Sequence, residues 1–342
     1  MMIVNFLVHR LKDVIDLPKF EPFKADNFDE IFPYYMELGL ENWYNQDNNF
    51  INGNMSGFQD RTRTLPHYLK MSGWEPLPEK DTSFAKSFKQ ITLERAKEIV
   101  DRANGQQIAI SWSGGLDSTT ALFALMQYAD PKQLLVVCNY YSIIESGSVF
   151  DRFIRGRGIR YSLNMPVTNP QFAEGLIVTG YLGDQLFGKL QSLDPDQWKL
   201  NWRVGMTPKQ VECMESILEN YPSVHRVHNK KQFSRFIELN CKWQMGKTNR
   251  MRNMPKEIAS RMINFYENVD YQKWSLGSYE EWHVDSDPRT YKLPLRKFLA
   301  EMMETDYYSA NKVVQTSHYH ILDHNWVMLL EDGTNLHVKD FI

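Results

Sequence analysis

Between Ile108 and Tyr140 the chain sets two short, nearly continuous apolar runs on either side of one apolar helical stretch, and few folds accommodate that order. Residues 108–113 have the length and composition of a buried strand, 118–128 of a helix and 134–140 of a second strand. A strand apolar on both faces must be covered on both, which is the situation of a parallel sheet. The flanking sequence repeats the pattern. Leu93, Ala96, Ile99 and Val100 give residues 92–102 a helical stripe that Gly105 ends; 148–157 reads as a returning helix, 159–163 as a third strand and 176–179 as a fourth. Strands alternating with helices at this spacing imply βαβ units with right-handed crossovers, hence an α/β fold built on a parallel sheet.

The remainder is expected to add helices to that sheet. Thr207, Pro208 and Gln210 form a capping-box start for Val211, Met214, Leu218 and Tyr221; Ile258, Met262, Phe265 and Val269 make a second helical stripe, and Leu295, Leu299 and Met302 a third. Residues 326–330 and 336–338 flank Asp332-Gly333, a hairpin turn. The first ninety residues carry weaker signals: a strand over 2–8, a short helix over 28–40, a loop over 45–57 and a linker over 74–81 with Pro76 and Pro78. The expected division is a small N-terminal region of unclear fold, 1–90, and an α/β domain with helical C-terminal additions, 91–342, which suits the two domains that 342 residues allow.

The loop between the first strand and its helix reads Ser113-Gly114-Gly115-Leu116-Asp117-Ser118. Two glycines let the backbone approach a ligand, their amides and the helix N-terminus face an anion, and the two serines add hydroxyl donors. Such a loop suits phosphate. Asp117 would be repelled by that phosphate unless a divalent cation lay between them, so Mg²⁺ is implied; the bland alternative is a strand-to-helix turn capped by Asp.

The hexapeptide in this context resembles the signature of the PP-loop ATP pyrophosphatases, which cleave ATP between the α and β phosphates and leave AMP on the substrate. Residues 176–188, LIVTGYLGDQLFG, resemble the second ATP-site motif of asparagine synthetase and β-lactam synthetase, GEGxDELFGGY, at Gly180, Gly183, Asp184, Leu186, Phe187 and Gly188. The resemblance implies that Asp117 and Asp184 hold Mg²⁺ and that Ser111, Thr179 and Gly180 lie near the adenosine. Residues 291–299, YKLPLRKFL, with Asn311-Lys312-Val313 downstream, look like the K-x-x-LR helix and lysine-bearing loop of those synthetases, which makes Lys312 the expected catalytic lysine; a solvated surface lysine is the alternative. The chain departs from that family where its glutamate is Tyr181 and its second acidic residue Gln185, and it has no cysteine before Cys138 to serve as a glutaminase nucleophile. Tyr181 is then either the base or a structural tyrosine.

The implied activity is an ATP-dependent ligase: a substrate acid is adenylated, pyrophosphate leaves, and an amine substrate displaces AMP to give an amide. Two alternatives stand beside it, a PP-loop enzyme that modifies a nucleotide or nucleic acid and a degenerate ATP-binding or structural protein. The nucleic-acid reading rests on residues 226–261, where ten Lys and Arg face two acidic residues in a chain of net charge -3. Glu145 is a substrate contact or an exposed loop residue. His318, His320 and His324 with Asp323 fit ordinary histidines better than a metal cluster. Three scattered cysteines point to a reducing, cytoplasmic setting, and no apolar stretch has the ~20 residues that cross a bilayer.

Overall fold

In a computed structural model of the chain, the structure describes residues 61–62, 75–79, 81, 83–163, 174–187, 200–220, 227–241, 243, 256–277, 292–305, 327–329 and 335–337. The expectations for 2–8, 28–40 and 45–57, for Lys312 and for the histidines near 320 lie outside these residues. The chain divides into two compact units, Lys80–Gly183 with Ile263–Ile342, and Met1–Glu79 with Asp184–Met262.

The first unit opens with helix α1, Phe88–Ala103. Ser87 caps it by accepting from the Gln90 amide at 3.2 Å, a bond of about 1 kcal/mol, and Asn104 ends it in the left-handed region at φ 47°. Its buried stripe, Phe88, Ile91, Thr92, Arg95, Ala96 and Ile99, recurs every three or four residues. Strand β1, Ile108–Ser111, leads into helix α2, Leu116–Leu125, nearly all of whose residues are buried. Strand β2, Leu134–Cys138, is followed by α3, Tyr140–Glu145, the single turn α4, Gly147–Val149, and a π-helical turn over Phe150–Arg155. Strands β3, Arg160–Leu163, and β4, Leu176–Thr179, come next.

The helical stretch over 148–157 is thus split by a π-turn. The expected strand over 134–140 stops at Cys138, because Asn139 takes the cap of α3: its Oδ1 accepts from the Ser142 amide at 2.9 Å while Ser142 Oγ accepts from the Asn139 amide.

After β4 comes α5, Gly183–Phe187, across which the unit boundary runs. The second unit holds α6, Pro208–Asn220, α7, Lys230–Cys241, and α8, Lys256–Ala259. Its buried anchor is Arg61, which donates to the carbonyls of Glu75, Pro76 and Leu239 at 2.9–3.0 Å and lies 5.4 Å from the Trp243 ring centre. Of the basic segment 226–261, Arg235 is buried on α7; Lys242, Lys247, Arg250 and Arg252 lie outside the described residues.

One expectation fails. Ile258, Met262, Phe265 and Val269 do not share a helix: α8 stops at Ala259, Met262–Asn264 is strand β5, and helix α9, Val269–Gly277, begins afresh. Ile263 and Asn264 are buried in the strand and Phe265 and Tyr266 in the turn that follows, and four apolar positions cannot distinguish that from a helical stripe. Helix α10, Leu293–Met303, and the antiparallel pair β6, Val327–Leu329, and β7, Asn335–His337, complete the elements. The pair is the hairpin expected from the sequence.

The sheet has the order β3-β2-β1-β4-β5, and β1 pairs in parallel with both β2 and β4. Successive strands step one way from β1 to β3, then the order reverses beyond β1. Right-handed crossovers therefore put α2 and the π-turn on the same face, in agreement with the edge-on contact of Phe123 and Phe153 at 4.9 Å. The reversal opens a crevice at the carboxyl ends of β1 and β4, where ligands of open α/β sheets bind. Among the described residues no helix is long and apolar enough to cross a membrane.

Candidate functional site

The crevice is lined by the Ser113–Ser118 loop. Helix α2 begins at Leu116, two residues earlier than the sequence implied, which places Asp117 and Ser118 in its first turn with Gly115 as the cap residue. The loop is closed by its own hydroxyls: Ser118 Oγ accepts from the Ser113 amide at 3.1 Å and donates to the Gly115 carbonyl at 3.2 Å, and Ser113 Oγ accepts from the Gly115 amide at 3.3 Å. Gly114 sits at φ 77°, and a Cβ there would lie 2.5 Å from the Ser142 carbonyl oxygen. Glycine is required at this point on both counts. Ser146, buried at the end of α3, donates to the Gly114 carbonyl at 2.8 Å and fixes the loop from its other side.

The sheet register brings the second motif to the first. Ser111 pairs with Thr179 at the carboxyl ends of β1 and β4. Beyond Thr179, a Cβ on Gly180 would stand 2.7 Å from the Ser118 amide nitrogen, and one on Gly183 would stand 2.2 Å from Asp117 Oδ1. Between these glycines Leu182 is buried with φ 75°, a left-handed conformation that is costly for a bulky residue and that persists only where the surroundings impose it. Tyr181 is half-buried and its amide donates to Thr179 Oγ1 at 3.3 Å. Asp184 and Gln185, both half-buried, follow in the first turn of α5.

Three contributors escape the sequence reading. Lys292 is 2% exposed and its ammonium meets Asp117 Oδ2 at 2.5 Å. It precedes α10 as its cap residue in a left-handed conformation, φ 54°, and Leu293-Pro294 starts the helix. Lys292 belongs to the K-x-x-LR stretch, so its signal was present in the sequence, but order along the chain favoured Lys312. Tyr266 donates to the Asp117 carbonyl at 3.0 Å, and Asn264 accepts from Thr179 Oγ1 at 2.9 Å while donating to Glu267 at 2.9 Å. The segment 264–266 is itself fixed by the buried Arg95, whose guanidinium donates to the Phe265 and Asn264 carbonyls and, at 2.8 Å, to Glu98.

Glu145 is half-buried, with Oε1 3.9 Å from the position of a Cβ on Gly115, so it faces the loop. Cys138, at the end of β2, is buried, and desolvation pushes its thiol up from 9.0 to about 12. It is poorly suited to nucleophilic sulfur chemistry.

The assembled groups are a loop of amides and hydroxyls at a helix N-terminus, a carboxylate in its first turn and a buried ammonium on that carboxylate. Such a set can hold a polyanion, with a hard cation taking Asp117 oxygen as one ligand and most of its remaining positions from phosphate and water. Among the described residues no three His, Cys, Asp or Glu side chains are grouped to hold a metal by themselves. No protein-family model matches the sequence, and no curated protein matches it.

Proposed function

We propose that the chain is an ATP-dependent, AMP-forming ligase of the PP-loop kind, adenylating a substrate acid and passing the acyl group to an amine. The observation that carries this reading is the Ser113–Ser118 loop at the point where the strand order reverses, with Asp117 in the first turn of α2 paired to Lys292 from the start of α10. The loop amides, Ser113 and Ser118 would hold the β and γ phosphates, and Lys292 would neutralise charge on the departing pyrophosphate. Mg²⁺ bound at Asp117 would supply charge neutralisation on the phosphate oxygens.

A carboxylate oxygen of the substrate attacks the α-phosphorus as the bond to the bridging oxygen breaks, and pyrophosphate leaves with that electron pair. An amine nitrogen then attacks the acyl carbon, AMP leaves, and the ammonium proton passes to a base. Tyr181 is the expected base by its place in the second motif. Its backbone is fixed by Thr179, and the Thr179–Asn264–Glu267 chain of hydrogen bonds holds that end of β4 in place.

The test is incubation with ATP, Mg²⁺ and a panel of carboxylic acids, with hydroxylamine as a trapping amine. AMP, pyrophosphate and hydroxamate are expected, and Asp117→Asn and Asp184→Asn should each abolish them. Release of ADP and phosphate would refute adenylation. Binding of α,β-methylene ATP that Asp117→Asn leaves unchanged would refute the site.

A further inference from the structure

Along the edge strand β3 lies a second concavity. It is an open groove of about 700 Å³, lined by Gln107 just before β1, Leu135 in β2, Arg155 on the π-turn and Arg160, Tyr161 and Ser162 in β3. It starts at the amino ends of the strands and runs along β3 to Ser162, which is in register with Val137 of β2. The Ser113–Ser118 loop leaves β1, two strands or roughly 10 Å across the sheet from β3, and none of its residues lines the groove, so the two are distinct.

Arg155 and Arg160 line the groove, and Arg152 and Arg157 lie in the same segment outside its lining. Residues 151–160 carry four arginines and one acid, Asp151, in a chain whose net charge is -3, so the patch is not spill-over from a basic protein. All four arginines are exposed. Arg152 and Arg157 both lie over the buried Phe153 ring, at 4.9 and 5.3 Å, and neither has a carboxylate partner among the described residues. The Phe153 ring gives each of these two guanidinium groups an aromatic contact. Arg160 is anchored through one nitrogen, which donates to Gln107 Oε1 and the Lys132 carbonyl, both at 3.0 Å. Arg155 pairs with Asp151 at 3.0 Å, but both side chains are 60% or more exposed, and an exposed pair of this kind is easily exchanged for a phosphate. The other acid nearby, Asp130, is engaged with the Lys132 amide.

Beside the arginines stands an aromatic. Tyr161 is 43% exposed, and its ring is buttressed edge-on by Phe150 at 5.0 Å, which stacks in turn on Trp112 at 6.3 Å. A ring held from behind and open in front is a platform for a flat, apolar-faced group. Pre-positioned arginines match phosphate oxygens in a fork, and the combination of a basic track with a stacking ring is what a single-stranded nucleic acid recognises.

We propose that this groove and the arginine-bearing segment 151–160 beside it bind single-stranded nucleic acid, with Arg155 and Arg160 in the groove and Arg152 and Arg157 outside it on the phosphates, and Tyr161 under a base. The surface is independent of the ligase reading, and neither result decides the other.

The experiment is fluorescence anisotropy of a labelled 20-nucleotide RNA of mixed sequence on the full chain, at 50 and 200 mM NaCl. Binding should weaken steeply with salt. The triple variant Arg152→Glu/Arg155→Glu/Arg157→Glu should raise Kd at least ~10-fold at 50 mM and lower the slope of log K against log salt by about 2, since each phosphate contact on a single strand contributes about 0.7. Tyr161→Ala should weaken binding about 5-fold or more. Circular dichroism melting checks folding, and Arg155→Gln/Arg160→Gln replaces the triple variant should it not fold. Unchanged affinity in a folded variant, or no RNA binding at 50 mM, overturns the proposal. So does displacement of RNA by inorganic tripolyphosphate at equal phosphate concentration with Tyr161→Ala silent, which would give the groove to a free phosphate ligand.

Discussion

The two strand-to-helix crossings on either side of the sheet's reversal, after β1 and after β4, are made of similar parts and use them differently. After β1 the serine hydroxyls are turned into the loop and the backbone is curled by Gly114 at positive φ. After β4 the glycines face the first crossing, and each leaves room for one atom group of it: Gly180 for the Ser118 backbone, Gly183 for the Asp117 carboxylate. One loop is shaped to receive something, and the other is shaped to let the first be where it is. Glycines in paired strand-to-helix loops therefore need not face a ligand. Here half of them serve contact between the motifs.

That division is broken or sharpened first by alanine at each glycine. Gly114→Ala meets both a left-handed backbone and a carbonyl oxygen at 2.5 Å, and Gly180→Ala meets backbone atoms at 2.7 and 2.8 Å that cannot swing away. Each should cost about 2–4 kcal/mol, lowering Tm by about 5 °C or more. Gly115→Ala meets only Ser113 Oγ at 3.2 Å, which rotates, and should cost under ~1 kcal/mol. Calorimetric melting of the three ranks them. A Gly180→Ala protein as stable as the parent would mean that the crossings are not in contact as described.

The second test concerns the pair across the first crossing. Removing either member of a buried ion pair strands the other, typically at about 3–5 kcal/mol. Asp117 keeps 22% of its side chain in solvent, so about 2–3 kcal/mol is expected for Lys292→Met, with part recovered in Lys292→Met/Asp117→Asn. Nucleotide turnover should fall by roughly 10² in Lys292→Met, whereas Lys297→Met, exposed on α10, should retain parental turnover. Losses that add in the double variant would show that the two side chains act separately.

The first crossing was legible because strand, loop and helix each carry their own local sign: an apolar run, paired glycines and a second apolar run. The reversal of strand order was not legible, because it rests on β4 pairing with β1 rather than with β3, which no local pattern encodes, and β5, three residues long, was hidden in what read as a helical stripe. Lys292 was also obscured. Its role is set by a contact with a residue 175 positions away, and the left-handed turn that delivers it has no glycine to announce it. Gly183 stood out in the sequence, but what requires a glycine there, the Asp117 carboxylate, exists only once β1 and β4 are neighbours.

The smallest effect separates the two crossings from the strand beside them, where Cys138 ends β2. Burial raises this thiol from 9.0 to about 12, so the folded protein holds its proton through a range in which the unfolded chain releases it. The sign follows from linkage. Below about pH 9 both states are protonated and nothing is lost; as pH rises from about 9 toward 12 the unfolded state gains a stabilising ionisation that the folded state lacks, and stability falls by about 1 kcal/mol per pH unit. Cys138→Ala should flatten that alkaline decline between pH 9 and 10.5 without altering stability's pH dependence below pH 8. In the native protein at pH 8, iodoacetamide followed by peptide mapping should leave Cys138 unlabelled until denaturant is added. Rapid native labelling would mean that the end of β2 opens to solvent, and would return Cys138 to the list of groups available for chemistry beside the Ser113–Ser118 loop.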